Sequence, residues 1–310
     1  MKTLVFGSLN QDIVYDVDHF GNPGETTKAL HVSKYPGGKG LNQAIAASKA
    51  GSSVSMAGCI GPEGTWLLNE LETSGVNATH IRIVPDTATG TAIIERDPAG
   101  ANRILLDPGA NNCCTPEQIR ETLADFEAGD LLICQNEISH LTSLLEQAKV
   151  KRMRILFNPA PMTPDILDLD LREVTWLAVN ESECARLLGC TCDDPMQLCR
   201  LFRQRYPETG LLLTLGSRGS LSLQGQSLCR VPSCCVQAVD TTGAGDTWLG
   251  YFADGCSRGL SVPDSMVRAN AAAALSVQVA GAASSIPSDR EVSAFLAQQP
   301  MESVITELEL

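Results

Sequence analysis

Short apolar runs alternate with helical segments along almost the whole of this chain, and that rhythm limits the fold more than any single motif. Residues 3–9 are near-continuously apolar, as a strand buried on both faces must be. Further strands read at 53–59, 131–135, 155–158, 176–179 and 211–215. Helices read at 41–50, 63–74, 116–127, 141–149, 181–188, 195–206 and 263–279. Repeated β-α units of this length predict an α/β fold, a doubly wound, mostly parallel central sheet with helices on both faces. Four stretches break the rhythm: 13–17, 28–34, 90–96 and 102–107 lie around turns at 21–24 and 98–100 with no helix between partners. They read as a small added β-sheet, a lid or dimerisation surface, over about 11–35 and 90–107. No linker, low-complexity segment or fixed repeat divides the 310 residues, so a single α/β domain over 1–310 is expected.

The stretch with the most chemistry is Asp240-Thr241-Thr242-Gly243-Ala244-Gly245-Asp246-Thr247. An extended approach over 235–239 runs into glycines and then a helix. Backbone N–H groups of Gly243, Ala244 and Gly245 can converge there, and a helix N-terminus adds partial positive charge, which suits an anion. Asp246 stands in the first helical turn. It reads either as a residue that offsets the helix dipole or as a base that takes a proton from a group attacking the anion.

Other polar residues follow strands, where open α/β sheets bind ligands. Asn10 and Asp12 come after the first strand and read equally as an Asx turn. Glu137 follows 131–135. Asn180 and Glu183 follow 176–179 and read equally as an N-cap and its capping-box partner. Thr214, Gly216 and Gly219 follow the strand that ends near 215. Gly37-Gly38-Lys39-Gly40-Leu41-Asn42-Gln43 opens an alanine-rich helix and places Lys39 and Asn42 three apart, on one face, as ligand donors or as a solvated lysine and a capping asparagine. There is no Walker loop and no Gly-x-Gly-x-x-Gly after the first strand, which disfavours a nicotinamide oxidoreductase.

A formal net charge of −13 argues against nucleic acid as partner. No apolar run is long enough to span a bilayer. Twelve cysteines lack metal-site spacing, and several lie in apolar segments, so they read as reduced thiols in a cytoplasmic protein. The histidines, His19, His31, His80 and His140, are scattered and read as structural or surface residues. The tail over 291–310 reads as one short helix followed by a dispensable acidic end.

With both glycine stretches in order, and Asn10, Asp12, the 180–183 segment and the 214–219 segment between and around them, the chain resembles the ribokinase-like (phosphofructokinase B-type) carbohydrate kinases over about 3–296. The resemblance implies transfer of the ATP γ-phosphoryl group to a primary hydroxyl of a pentose, D-ribose first. Another sugar (fructose or another ketose), a nucleoside, or a non-catalytic binding role on the same fold are the alternatives. It implies Asp246 as general base, with the backbone of Gly243, Ala244, Gly245 and Asp246 as anion hole. Asn10, Asp12, Gly38, Lys39, Asn42 and Glu137 would bind the sugar. Asn180 and Glu183 would position Mg²⁺ through water, and Asn180, Thr214, Gly216, Gly219, Gly245 and Asn270 would contact the nucleotide. Asp240, Thr242, Val277, Val279, Gly281 and Ser285 would form a site for K⁺. Apart from the resemblance, the extra β-segments themselves suggest a homodimer with its lids paired. This chain departs in having Trp248 where phenylalanine is commoner, expected to pack behind the loop, no basic residue around Gly281, and apolar Ala92 and Leu106 on the lid.

Overall fold

The computed structural model describes residues 1–308. From β1 (Thr3–Phe6) the chain enters a separate sheet with β2 (Asn10–Val17) and β3 (Ala29–Gly37), then returns through α1 (Lys39–Ala50). Next come β4 (Val54–Ile60), α2 (Trp66–Thr73) and β5 (Asn77–Ile83), followed by β6 (Gly90–Arg96) and β7 (Asn102–Asp107). The middle holds α3 (Pro116–Ala124), β8 (Leu131–Gln135), α4 (Leu141–Val150), β9 (Arg154–Asn158), β10 (Trp176–Asn180), α5 (Glu181–Leu188), α6 (Pro195–Arg205) and β11 (Gly210–Thr214). The last part is β12 (Ser220–Gln224), β13 (Ser227–Val231), α7 (Ala244–Ser257), α8 (Val262–Ser276), α9 (Asp289–Gln298) and β14 (Val304–Glu307).

The main sheet has ten strands in the order β14-β13-β12-β11-β10-β9-β8-β1-β4-β5. The run from β11 to β5 is parallel; β12, β13 and β14 pair antiparallel at one end. Strands such as β1 and β8 are buried at every residue, because helices cover both faces. One face packs Ile119, Leu144, Cys184 and Phe202 of α3 to α6; the other packs Ile45, Leu67, Tyr251 and Ala272 of α1, α2, α7 and α8. No helix among the described residues is long and apolar enough to cross a membrane. All twelve cysteines are free.

The second sheet, in the order β3-β2-β6-β7, is the small one read from the broken rhythm. Its β2 starts at Asn10, directly after a turn at Gly7, because β1 ends four residues into the expected first strand. The Gly7 N–H still reaches Ala57 O at 3.1 Å, and the chain then leaves the main sheet.

Several readings need correction. The extended approach over 235–239, readable as strand or loop, is a loop, with the Val239 and Asp240 N–H groups both on Val277 O at 2.7 and 3.1 Å. The helix after Gly243 starts at Ala244, and α8 ends at Ser276, three residues short of the expected end, where the chain turns toward Asp240. The tail is not dispensable in packing terms. β14 extends the main sheet beside β13 as an exposed edge strand, and Leu308 just after it is buried in the core. The last two acidic-tail residues, Glu309 and Leu310, lie outside the described residues. The strands β5, β12, β13 and β14 were not anticipated.

Candidate active site

The strand order reverses between β1 and β8. From β1 the chain builds outward to β4 and β5; from β8 it builds the other way to β11. The carboxyl ends of such diverging strands open a crevice. Ser8 follows β1 and Glu137 follows β8, and the Ser8 hydroxyl donates a short hydrogen bond to Glu137 Oε2. The Lys39 N–H also points to that oxygen, at 3.4 Å.

Helix α1 starts against this point. An added Cβ on Gly40 would lie 2.6 Å from the backbone of Gly7 and Ser8, so only glycine lets the helix start this close. Farther along, α1 lies on α7 through small residues, with Gly250 against Ala46 and Ala47. That close packing joins the two glycine-rich stretches. The Asn42 amide donates to Asp246 Oδ2 at 3.1 Å, and the Gln43 amide donates to Asp246 Oδ1 at 2.8 Å. Gly243, at φ 73°, caps α7 in a left-handed conformation that a side chain would strain. Asp246 is therefore fixed in the first turn of α7, with 8% exposure, facing the crevice. The Ala244 N–H is drawn back to Thr241 O at 3.3 Å, whereas the Gly245 and Asp246 N–H groups have no backbone or side-chain acceptor among the described residues. An added Cβ on Gly245 would meet nothing, so this backbone faces open space.

On the β2 side stand Asn10 and Asp12. Asn10 is buried, and its Oδ1 accepts from the Asn111 amide at 2.8 Å. Asp12 is half-buried against Gly37, opposite Tyr35 on β3 and Ala92 on β6. Burial, then the charges of Glu137 and Asp246, push its carboxyl up to about 6. Burial likewise raises Glu137, against Lys39 and its hydrogen bonds. Lys39 is held above its ordinary value chiefly by Asp246, with Glu137 and Glu183 adding. The crevice thus holds three carboxyl groups around one ammonium, with Gly38, at φ 93°, turning the chain beside them.

A second cleft, of about 290 Å³, opens on the other side of Gly245. Thr214, Gly216, Thr241 and Ala244 edge it, and Val236, Trp248, Ala274 and Val277 give it an apolar wall. It fits a flat base with polar groups at one end. Trp248 is buried, stacks on Phe252 at 5.3 Å and donates to Asn270 Oδ1 at 2.6 Å, so it packs behind the loop. Asn270 lines the cleft, but all its polar atoms are engaged: it also accepts from Ser220 and donates to Val231 O and Pro232 O. Gly219 is pressed against Val231 O and makes the turn into β12.

Asn180 and Glu183 lie where the two clefts meet. They form a full capping box, at 2.9 and 3.0 Å, so the cap reading holds for both. The box uses only Oε2 of Glu183. An oxygen-only donor set in an acidic crevice suits a hydrated hard cation such as Mg²⁺. Beside the loop before α7, Asp240 Oδ1 accepts from the Thr242 N–H and hydroxyl at 2.9 and 2.7 Å, and Oδ2 accepts from the Gly281 N–H at 2.9 Å. Burial pushes Asp240 up, and these bonds more than offset it, leaving the carboxyl below its ordinary value. Asp240, Thr242 and Gly281 line one cleft, and their carboxylate and carbonyl oxygens are hard donors of the kind a cation takes. Val277 O already accepts two N–H groups.

Three site residues were not singled out in the sequence. Asn111, Gln135 and Asn158 hold Asn10, Gln43 and the strand ends together. Gln135 and Asn158 are the last residues of adjacent strands, and a polar residue ending an apolar strand is the signal that marks them. Asn111 sits in a short helical turn at Gly109–Cys113 and carries no local signal.

The family model described as pfkB family carbohydrate kinase matches residues 2–289. The ribokinase of Lactococcus lactis is 35% identical over 300 residues, covering 95% of this chain and 97% of that protein. The crystal structure of a ribokinase from Thermotoga maritima superposes with TM-score 0.86 at 34% identity, covering 96% of this chain and 99% of the other. An Arabidopsis thaliana ribokinase solved with ribose and ATP gives TM-score 0.85 at 29% identity, covering 95% and 98%. The glycine-rich crevice and the relatives agree over nearly the whole length: this chain belongs to the pfkB family of carbohydrate kinases, enzymes that transfer a phosphoryl group to a sugar hydroxyl.

Proposed function

We propose that this protein phosphorylates the primary hydroxyl of D-ribose with ATP. The observation that carries the reading is the placing of the Asp246 carboxylate next to the unpartnered Gly245 and Asp246 N–H groups, at the junction of a polar crevice and a flat apolar cleft. The Arabidopsis thaliana ribokinase solved with ribose and ATP shares this fold at 29% identity.

The sugar lies in the polar crevice, held by Asn10, Asp12, Gly38, Lys39, Asn42 and Glu137, under the small sheet as a lid. Carboxylates accept sugar hydroxyls, and Lys39 offsets their charge. The nucleotide lies in the second cleft, along Thr214, Gly216, Gly219 and Asn270. As the hydroxyl oxygen bonds to the γ-phosphorus, the bond from phosphorus to the ADP oxygen breaks, and the hydroxyl proton passes to Asp246. The proton leaves late, so the accepting carboxylate need not be a strong base. The Gly245 and Asp246 N–H groups, already oriented, take up charge on the phosphoryl oxygens. Asn180 and Glu183 would hold Mg²⁺ through water, and bound Mg²⁺ supplies charge neutralisation at the phosphates. Asp240, Thr242, Val279, Gly281 and Ser285, with Val277, would hold K⁺ and brace the loop before α7.

The protein is proposed to be a cytoplasmic homodimer joined through the lid, whose Leu30, Val32, Ile104 and Leu105 stand exposed. The test of function is ADP release with Mg-ATP and a panel of ribose, 2-deoxyribose, fructose and nucleosides, with and without potassium. Ribose is expected to give the highest kcat/KM, raised by potassium. No ADP with any member would favour the binding role, and a higher kcat/KM with another member would reassign the substrate.

A further inference from the structure

We infer that Gln43 and Gln135 form a fixed amide chain that orients the Asp246 carboxylate for proton transfer; this rests on Asp246 being the base. Gln135 Nε2 donates to Gln43 Oε1 at 2.6 Å, and Gln43 Nε2 donates to Asp246 Oδ1 at 2.8 Å. Both glutamines are fully buried. An amide has the same shape in either orientation. The Asp246 carboxylate, which only accepts, selects the NH₂ end of Gln43, and Gln135 reinforces that orientation by donating to Gln43 Oε1. Turning Gln43 over would set its oxygen against Asp246 and its NH₂ against the NH₂ of Gln135, two repulsions in place of two hydrogen bonds.

Gln135 itself is held by β8, of which it is the last residue, and by the backbone of Gly7, where an added Cβ would strike Gln135 Oε1. That oxygen has no hydrogen-bond partner. Burying an amide with an unpaired oxygen is unfavourable, and an apolar residue would fill this place with less loss of stability. The amide therefore needs a reason other than packing, and its N–H on Gln43 provides one. Gln43 is further steadied by Asn158, whose Oδ1 lies 3.5 Å from its Nε2 and whose own amide is tied to Ala178 O at 2.8 Å. With Gln43 on Oδ1 and Asn42 on Oδ2, each oxygen of Asp246 keeps lone pairs free toward the crevice. Gln43 and Gln135 are positioning residues: they act through Asp246 and do not touch the reacting atoms.

The test uses Gln135→Met and Gln135→Glu in the full chain, with Asp246→Asn alongside. Gln135→Met removes the donor at similar volume. It is expected to lower kcat about tenfold, part of the range a general base supplies, while both KM values stay within about twofold. Gln135→Glu keeps the shape. Its introduced carboxyl donates to Gln43 when protonated and repels Gln43 Oε1 when ionised. Near-normal kcat at low pH that falls as pH rises, on a limb absent from the natural protein, is expected. The residues facing Gln135 from β1, α1 and β9 are Gly7, Gln43 and Asn158, none of them titratable; Lys39, Asp12 and Glu137 surround Asp246 and are common to both proteins. A natural kcat and pH profile in both variants, with Asp246→Asn inactive, overturns the amide chain and leaves the base intact. An active Asp246→Asn overturns the base reading itself. If Gln135→Met does not fold, the isosteric Gln135→Glu profile decides.

Discussion

The Asn42 amide and the Asp246 carboxylate meet at 3.1 Å across 204 positions of sequence, and that contact joins the two glycine-rich stretches into one site. Neither stretch makes a site alone. The first supplies amide donors without a carboxylate, and the second supplies a carboxylate and unpartnered backbone N–H groups without those donors.

Asp246→Asn keeps the shape and loses the basic oxygen. Turnover is expected to fall roughly a hundred- to ten-thousand-fold, the contribution of a general base, with sugar and ATP still binding. Steady-state kinetics and calorimetric titration with each ligand check this, and natural turnover in the variant would remove Asp246 from the mechanism.

Asp12 makes a pH prediction. Its folded carboxyl titrates near 6, above the ordinary value of 3.8, because of burial and then Glu137 and Asp246. The folded state then holds more protons than the unfolded state between these two values, so Asp12 lowers stability as pH rises through that window. Arg96, Asp97 and Asp240 share the neighbouring cleft and are common to both proteins. Asp12→Asn should be more stable than the natural protein at pH 8 and no more stable at pH 4, by urea denaturation. For ribose, KM should rise as pH falls below about 6 in the natural protein, where Asp12 gains a proton. In Asp12→Asn it should be high and flat.

Asn111 is the hidden support of Asn10, a proposed sugar contact. Its side chain accepts from the Leu9 N–H at 2.9 Å and donates to Leu9 O and to Asn10 Oδ1. Asn111→Ala should cost about 2–3 kcal/mol, from buried hydrogen-bonding groups left unpaired. It should also raise the sugar KM more than the ATP KM, since only Asn10 is released. Equal changes in both KM values would detach Asn10 from sugar binding.

Removing residues 303–310 strips β14 from the edge of the main sheet and takes away buried Leu308. The loss of that side chain's burial alone is about 1.5–3 kcal/mol. Melting temperature should fall, with kcat at low temperature unchanged, because β14 lies at the far end of the sheet from β1 and β8. An unchanged melting temperature would return the tail to the dispensable reading.

The alternation of buried strands and helices was legible because a parallel sheet covered on both faces demands continuous apolar strands, as in β1, β8 and β10. The small sheet was legible for the opposite reason, since no helix separates β2 from β3 or β6 from β7. The edge strands β5 and β14 were not, because one exposed side leaves them mixed in polarity, as in Asn77–Ile83. The hairpin of β12 and β13 was missed although Leu221 and Leu223 alternate with serines before a turn at Gly225.

By itself the sequence determined the kind of site: local chemistry is written in contiguous residues, so the Gly243 to Asp246 turn and the Asn180–Glu183 cap could be read where they stand. Tertiary structure alone decided what those residues work with. That Gln43 meets Asp246, that Gln135 donates to Gln43, that Asn111 holds Asn10, and that the hydrogen-bonding atoms of Asn270 are spent inside the protein all depend on pairs brought together by sheet order and by α1 lying on α7. Partners separated by tens to hundreds of residues leave no periodicity in one chain, because only the packing of the folded core brings them within hydrogen-bond distance.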